Sequence, residues 1–306
     1  MPFFSVIVPV YDKAASLEAA LESVYGQTCQ DFELVAVDDG SQDGSMEILA
    51  RHAAQGRLTL LQRNSPGPGG YAARNHGASL ARAPWLTFLD ADDLYRPDHL
   101  RRLHEAIVAH PGIELFVNAY QKMEDGRPLP RLERLPDGRL ARREALRAFA
   151  RSDFIHMNGA CLRRERFLQL GGFPVDRYRR GGDVYFWLKV LCELDAIHYC
   201  NSVTSLWQLE YSGVTRDKRN LVHLHPGVDL LAEYAGRLTK EEARQLHAAI
   251  NRKVLSWAVE KKRLGQPVRQ ELAALSHLGM QGRHWLHATT LLIPQPYYDR
   301  LRRWVK

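Results

Sequence analysis

The sequence predicts an α/β fold, a mostly parallel sheet flanked by helices with a helical C-terminal extension. Short apolar, β-branched runs recur at 4–11, 32–37, 58–61 and 85–89, the pattern of strands buried on both faces. Stretches with apolar residues at helical spacing separate them, and alternating strands and helices imply a parallel sheet with right-handed crossovers. Polar residues gather at the ends of three of these runs: Tyr11, the pair Asp38 and Asp39, and Asp90 with Asp92. Ligands of such sheets bind beyond the carboxyl ends of the strands.

Each element has its own warrant. After the first strand, Ser16 predicts the cap of a helix carrying Leu17, Ala20, Leu21 and Val24 on one face. The second strand ends in Asp38-Asp39-Gly40-Ser41, and a helix is expected over 43–54. A glycine-rich loop at 65–70 leads into a helix through Leu80. Further expectations are a helix over 99–109, a strand over 115–118, loops or a hairpin over the Pro-, Arg- and Gly-rich stretch 123–138, and a helix over 140–149. Gly181-Gly182-Asp183 precedes an amphipathic helix over 184–194. Beyond Arg216 only helices are expected, over 221–235, 241–264 and 269–278, which divides the chain into 1–215 and a basic extension 216–306.

Charge follows this division. From Arg216 onward there are 17 Lys and Arg against 8 Asp and Glu, whereas the earlier residues carry a deficit of two. A near-neutral front and a basic tail suggest catalysis in one part and attachment in the other, with nucleic acid or an anionic membrane as partners to weigh. No nucleic-acid reading module is recognisable, which argues against the first. Cys29, Cys161, Cys192 and Cys200 show no CxxC pair and no metal spacing, as expected of a reducing cytosol. The N-terminus lacks a basic n-region and no stretch is long and apolar enough to span a bilayer, so a cytoplasmic location is expected.

The carboxylates of Leu89-Asp90-Ala91-Asp92-Asp93 are the strongest chemical signal. Aligned carboxylates repel one another and are best tolerated beside a cation. Hard oxygen donors suit Mg²⁺ or Mn²⁺, ions that leave positions open for a substrate phosphate. The loop Pro66-Gly67-Pro68-Gly69-Gly70 has the wrong spacing for a dinucleotide fingerprint, and Pro68 removes a donor such a loop uses. It reads as a turn that lets backbone approach a ligand. His76, His156 and His198 are scattered and read as ordinary partly buried imidazoles; Cys161, Cys192 and Trp187 read as packing residues.

Several ordered stretches together resemble the family 2 inverting glycosyltransferases of the GT-A fold, the Rossmann-like nucleotide-diphospho-sugar transferase architecture. They are Ser5-Val6-Ile7-Val8-Pro9-Val10-Tyr11, Val37-Asp38-Asp39-Gly40-Ser41, Ala73-Arg74-Asn75-His76-Gly77, Phe88-Leu89-Asp90-Ala91-Asp92-Asp93, Gly171-Gly172-Phe173 and the segment around Asp183. The resemblance implies that Pro9 and Tyr11 flank a nucleotide base and that Asp39 hydrogen-bonds it. It implies Arg74 near the diphosphate, Asp90 and Ala91 at the ribose and sugar, and Asp92 as metal ligand with Asp90 beside it. Asp183 matches the general base. Two positions depart from the pattern. Gly182 stands where the family usually has Glu, and Glu210 aligns with a His that can ligate metal or touch phosphate. A carboxylate there could hold metal but would repel phosphate.

The resemblance therefore implies an inverting transferase that moves a sugar from a nucleotide donor, most simply a UDP-sugar, to a glycan or lipid-linked acceptor with Mn²⁺ or Mg²⁺. Surface polysaccharide or lipopolysaccharide synthesis is its expected setting. The alternative is a nucleotide-sugar-binding scaffold without turnover, motivated by Gly182 and Glu210. In the tail, Trp285, Leu286, Leu291, Leu292 and Ile293 precede Pro294, and Tyr297, Leu301 and Trp304 recur at helical spacing among Arg300, Arg302, Arg303 and Lys306. That pattern suits either an anionic membrane surface on the inner face or a helix docked on its own core.

Overall fold

The structure, a computed structural model, describes residues 1–131, 135–175, 177–211 and 224–304, with Pro68 and 301–304 defined by their backbone. Among these residues ten strands form one sheet in the order β3-β2-β1-β4-β9-β6-β10-β5, with β7 paired to β6 and β8 to β10. The first four are β1 (Phe4–Val10), β2 (Phe32–Asp38), β3 (Thr59–Gln62) and β4 (Trp85–Phe88). They pair in parallel, with Val10 level with Asp38 and Ile7 level with Phe88.

The rest of the sheet is mixed. Strand β9 (Ala160–Arg163) runs antiparallel to both β4 and β6 (Leu115–Glu124), and β5 (Leu94–Tyr95) and β8 (Gly138–Ala141) run antiparallel to β10 (Ala196–Gln208). β6 and β10 are parallel, with irregular register around Val203. β6 extends six residues past the expected end and turns at β7 (Arg127–Pro128), the hairpin alternative for that stretch.

Period-two alternation explains why β1 is apolar on both faces. Phe4, Val6, Val8 and Val10 join one core layer with α1 (Ala14–Tyr25), α2 (Ser45–Ala54) and α4 (His99–Ala109). Ile7 points to the other layer, where α3 (Tyr71–Leu80), α5 (Arg142–Arg151), α6 (Arg164–Gln169) and α7 (Gly182–Glu193) pack. α3 approaches the sheet closely at Gly77: a Cβ there would lie 2.8 Å from Ile7 Cγ2 and 3.1 Å from Val37 Cγ2.

Some local expectations change. Ser16 lies inside α1 rather than capping it; Lys13 is the cap, and the Ser16 hydroxyl donates to the Ala91 carbonyl at 3.0 Å. The helix expected over 140–149 starts at Arg142, because 138–141 pair with β10. Of the helix expected over 221–235, residues 221–223 lie outside the described residues; Pro226 and Gly227 restrict the rest to a 3₁₀ turn and the short α8 (Asp229–Glu233). Residues 269–278 form only α10 (Arg269–Ala273) and a further turn.

The boundary expected between 215 and 216 also falls outside the described residues. Beyond it, α9 (Lys240–Arg263) opens with a capping box between Thr239 and Glu242. Its Leu246, Ala249, Ile250 and Val254 belong to the same core layer as α5 and α7. The chain closes with α11 (Gly282–Leu292) and α12 (Gln295–Trp304).

Candidate active site

The carboxyl ends of β1, β2 and β4 lie side by side, so the loops after them meet at one edge of the sheet. There Asp39, 2 % exposed, accepts from Arg63 at 2.7 Å and from the Gly67 amide at 3.0 Å. Asp38 accepts from the Gly40 and Ser41 amides and shapes the turn. Pro9 is half-buried near Gly70, and Tyr11 is exposed at the rim. Asp12, at φ 49, accepts from the Gln42 amide at 2.8 Å and ties the β1 loop to the β2 loop.

Helix α3 starts at this edge. Gly69 and Gly70, both at φ +66, turn the chain so that Tyr71 begins the helix. One turn on, the buried Arg74 donates to the Gly69 carbonyl at 2.8 Å and pairs with Asp90 Oδ1. Asn75 exchanges two hydrogen bonds with the Phe173 backbone, at 2.7 and 2.9 Å, which joins the Arg-Asn and Gly-Gly-Phe stretches singled out in the sequence.

The three carboxylates after β4 have separate environments. Ligand oxygens of Asp90, Asp92 and Asp93 lie within 4.8 Å of one another. Asp93, 1 % exposed, accepts from Asn158 Nδ2 at 2.6 Å and from the Gln208 amide at 2.7 Å, so it clamps the ends of β9 and β10. Burial, and then its two acidic neighbours, push it well above the usual carboxylate range. Burial would also raise Asp90, but Arg74 and then His156 outweigh it and hold the group low. Asp92 is raised by burial and by Asp90, against the opposing charge of Lys13.

Lys13 donates to Asp92 Oδ2 at 2.5 Å and to the Tyr211 carbonyl at 2.8 Å. It lay outside the sequence reading, because a lysine in the first loop matches no motif. Asp90 and Asp92 each keep a second oxygen, and two hard carboxylates of which one is raised by its neighbour form a donor set that fits Mg²⁺ or Mn²⁺. Asp93 is committed to its two donors. Glu210 stays outside the three-carboxylate group; it lies on a 3₁₀ turn, and its Oε2 is buried without a hydrogen-bond partner among the described residues. Ala91, 2 % exposed, packs into the core beneath this turn.

Asp183 stands in the first turn of α7, after Gly181 at φ +82. It accepts from the Tyr71 hydroxyl at 3.4 Å, and that hydroxyl accepts from the Gly182 amide at 3.0 Å. Tyr71 also explains Gly182: a Cβ at 182 would lie 2.8 and 3.0 Å from the tyrosine ring. The ring occupies the room a longer side chain would need. His156, read from the sequence as an ordinary imidazole, stands at this site. Burial holds it down at about 4, against the raising effects of Asp90 and then Asp183, so it is neutral near pH 7. It stacks on Tyr120 and packs tilted against Trp207, with ring centroids 4.7 Å away in each case, and those two rings lie 6.2 Å apart, so the three form one cluster.

The arrangement defines a class: an α/β protein whose strand ends carry a carboxylate pair and whose adjoining helices bring an arginine and a separate aspartate beside it. Residues 5–169 match the family described as Glycosyl transferase family 2, and the chain belongs to that family. A PGL/p-HBAD biosynthesis glycosyltransferase of Mycobacterium bovis is 43 % identical over 115 residues, 37 % of this chain and 45 % of the relative. The succinoglycan biosynthesis protein ExoO of Rhizobium meliloti is 38 % identical over 131 residues, 42 % of this chain and 36 % of ExoO. The chain thus spans less than half the length of these relatives.

Solved structures share the fold. S. aureus TarS 1-349 in complex with UDP-GlcNAc superposes with a TM-score of 0.63 at 16 % identity, covering 98 % of this chain and 92 % of that one. The mannosyltransferase PcManGT from Pyrobaculum calidifontis, in complex with GDP-Man and Mn2+, gives 0.58 at 20 % identity, covering 99 % and 84 %. The chain has the α/β fold of these GT-A glycosyltransferases, with a helical C-terminal region.

Proposed function

We propose that this chain transfers a sugar, with inversion, from a nucleoside diphosphate donor to a hydroxyl of a glycan or lipid-linked acceptor. The observation that carries this reading is helix α3: Arg74 holds Asp90 on the donor side, and Tyr71, three residues earlier, holds Asp183 across the cleft. Donor-binding and proton-accepting groups are thereby kept in one frame. Pro9, Tyr11 and Asp39 receive the base, which is taken to be uracil, and Arg74 faces the diphosphate. Asp90 lies toward the ribose, with the Ala91 backbone beside it.

Asp183 accepts the proton of the acceptor hydroxyl while that oxygen attacks the anomeric carbon. The bond from that carbon to the phosphate oxygen breaks, and the nucleoside diphosphate leaves with the electron pair. Attack opposite the leaving group inverts the centre, and one positioned carboxylate contributes about 10²- to 10⁴-fold. Asp92 and Asp90 would hold Mn²⁺ or Mg²⁺, which when bound would supply charge neutralisation at the leaving diphosphate. Neutral His156 places a second polar group by the reacting hydroxyl without adding charge.

Asp183→Asn is expected to keep nucleotide-sugar binding by calorimetry and lose transfer, and Asp92→Asn to lose metal-dependent turnover. Full transfer by Asp183→Asn would remove the base. Binding by wild type with neither hydrolysis nor transfer to any acceptor would instead favour the scaffold reading. A thermal-shift screen of nucleotide sugars with and without Mn²⁺ identifies the donor.

The same proposal places the enzyme on the cytoplasmic side at an anionic membrane surface. No helix among the described residues is long and apolar enough to cross a membrane. α11 and α12 nevertheless expose Trp285, Leu286, Leu292 and Tyr297, with Arg283 and Arg300 close in sequence. Unchanged liposome association after removal of 283–306 would defeat this placement.

A further inference from the structure

Next to the reacting cleft lies a group of cations that the donor chemistry does not use. Asp153, between α5 and β9, accepts from Arg252 at 2.5 Å and from Lys253 at 2.8 Å, both on α9. Arg252 also donates to the Phe149 carbonyl at 2.9 Å, and the Asp153 carbonyl accepts from the Tyr120 hydroxyl at 3.0 Å. These contacts dock α9. They also place two cations beside one carboxylate.

A third cation faces the group from the sheet. Lys122 lies two residues beyond Tyr120 on β6 and so shares its face. It is exposed, and its Nζ sits 4.9 Å over the Trp207 ring. No carboxylate among the described residues pairs with it. Burial lowers its amine, Asp153 opposes that and Lys253 adds to it, so Lys122 feels both partners of the Asp153–Lys253 pair. Asp153 neutralises one positive charge and two remain.

The group adjoins the proposed reaction site. Trp207, under Lys122, packs tilted against His156, and the charges of Asp90, Asp183 and Lys122 all act on that imidazole. The path from the base to the cations therefore crosses one aromatic layer. Asp90, Asp92 and Asp183 make the cleft itself acidic, so the cationic rim is set apart from the donor carboxylates and cannot be their counter-charge: Asp90 already holds Arg74 and Asp92 holds Lys13.

We propose that Lys122, Arg252 and Lys253 form an anion site that takes a phosphoryl group carried by the acceptor. This rests on the transferase reading, since it assigns the acceptor side of the same cleft. A phosphomonoester carries about −1.5 to −2 charge at neutral pH and offers three acceptor oxygens, which matches a surplus of two positive charges. The two lysine ammoniums supply mobile donors, and the Arg252–Asp153 pair fixes the floor. The aromatic layer of Trp207 and His156 lies between that phosphoryl group and the base, at a place suited to the apolar face of the acceptor sugar.

The test uses full-length protein saturated with UDP and Mn²⁺, so that the donor site is filled. Glucose 1-phosphate is titrated by calorimetry, with methyl glucoside as the uncharged control and glucuronate as the carboxylate control. Wild type is expected to bind the phosphate ester, glucuronate less tightly, and methyl glucoside not measurably. Lys122→Gln and Lys253→Gln should each weaken glucose 1-phosphate about tenfold or more, and Lys122→Arg should restore it. Lys240→Gln, on the exposed start of α9, should leave it unchanged, and UDP affinity should be unchanged in all four variants.

Equal affinity for glucose 1-phosphate in wild type and Lys122→Gln, or equal binding of the methyl glucoside, would overturn the proposal; tighter glucuronate would replace phosphoryl by carboxylate and overturn it as stated. If UDP itself fails to bind, the donor reading falls, and the loss of phosphate-ester binding in Lys122→Gln still decides the anion site.

Discussion

Tyr71 and Gly182 behave as one unit. The ring fills the space above the glycine, and its hydroxyl spans the Gly182 amide and the Asp183 carboxylate. Burial and then the Asp183 charge raise the phenol above its ordinary value, so it stays a hydrogen-bond donor at any working pH. Tyr71→Phe keeps the packing and removes the donor. The expected outcome is a loss of about tenfold in kcat, from one hydrogen bond to a charged group, with donor affinity unchanged; steady-state kinetics beside calorimetry check both. An unchanged kcat would leave Asp183 positioned by its helix alone. Sequence reasoning saw Gly182 as a missing acid and did not see Tyr71. A tyrosine after two glycines has no motif, and only the complementary vacancy at 182 reveals its place. Lys13 and His156 escaped for the same reason, since isolated residues acquire meaning only from what the fold puts beside them.

At the level of elements, α3 does the most to organise the site, and Gly77 sets how near it lies to the sheet. Gly77→Val would drive side-chain atoms into Ile7 and Val37. Overpacking of this kind costs roughly 1–3 kcal/mol, and the helix would lift, taking Arg74 from Asp90. Urea unfolding should show the loss of stability, and weakened donor binding should accompany it. The elements that could be read directly were the ones with a single period: β1, β2, β4, α4 and α9 agree with expectation to within a residue or two. β10 was missed because its middle is polar, with buried His198, Thr204 and Ser205 and irregular register that disrupts the alternation. β9 has four residues, three buried and the last an exposed arginine, too few to display a period. Site residues on the legible strands were found together; those on β6, β9 and β10 were not.

Taken as a molecule, the protein keeps several imidazoles neutral in its interior. Burial lowers His99 to about 3 and His156 to about 4, from an ordinary 6.5. In both cases the folded value lies below the unfolded one. Between those values the unfolded chain binds more protons, so stability is lost as pH falls from about 6.5 toward 3–4. Asp153, held low by Lys253 and Arg252 against the effect of burial, adds a loss at still lower pH, as it protonates and releases α9. Urea midpoints should drop steadily from pH 7 to pH 4.5, and a flat profile over that range would contradict the buried neutral state. The C-terminal helices matter at this scale too. Because α9 supplies part of the core shared by α5 and α7, Arg252 and Lys253 are carried on a structural member and not on an independent appendage.

The ion pair between Lys13 and Asp92 separates two properties that metalloenzymes often join. With an ammonium as resident counter-ion, the acidic rim does not depend on a divalent guest to hold its shape. On the proposed metal-assisted reading, chelation should silence turnover while leaving the melting temperature within about a degree of the untreated protein, and calorimetric scans with and without EDTA measure it. Starvation for manganese or magnesium would then yield an idle but intact catalyst, ready to resume once the ion returns.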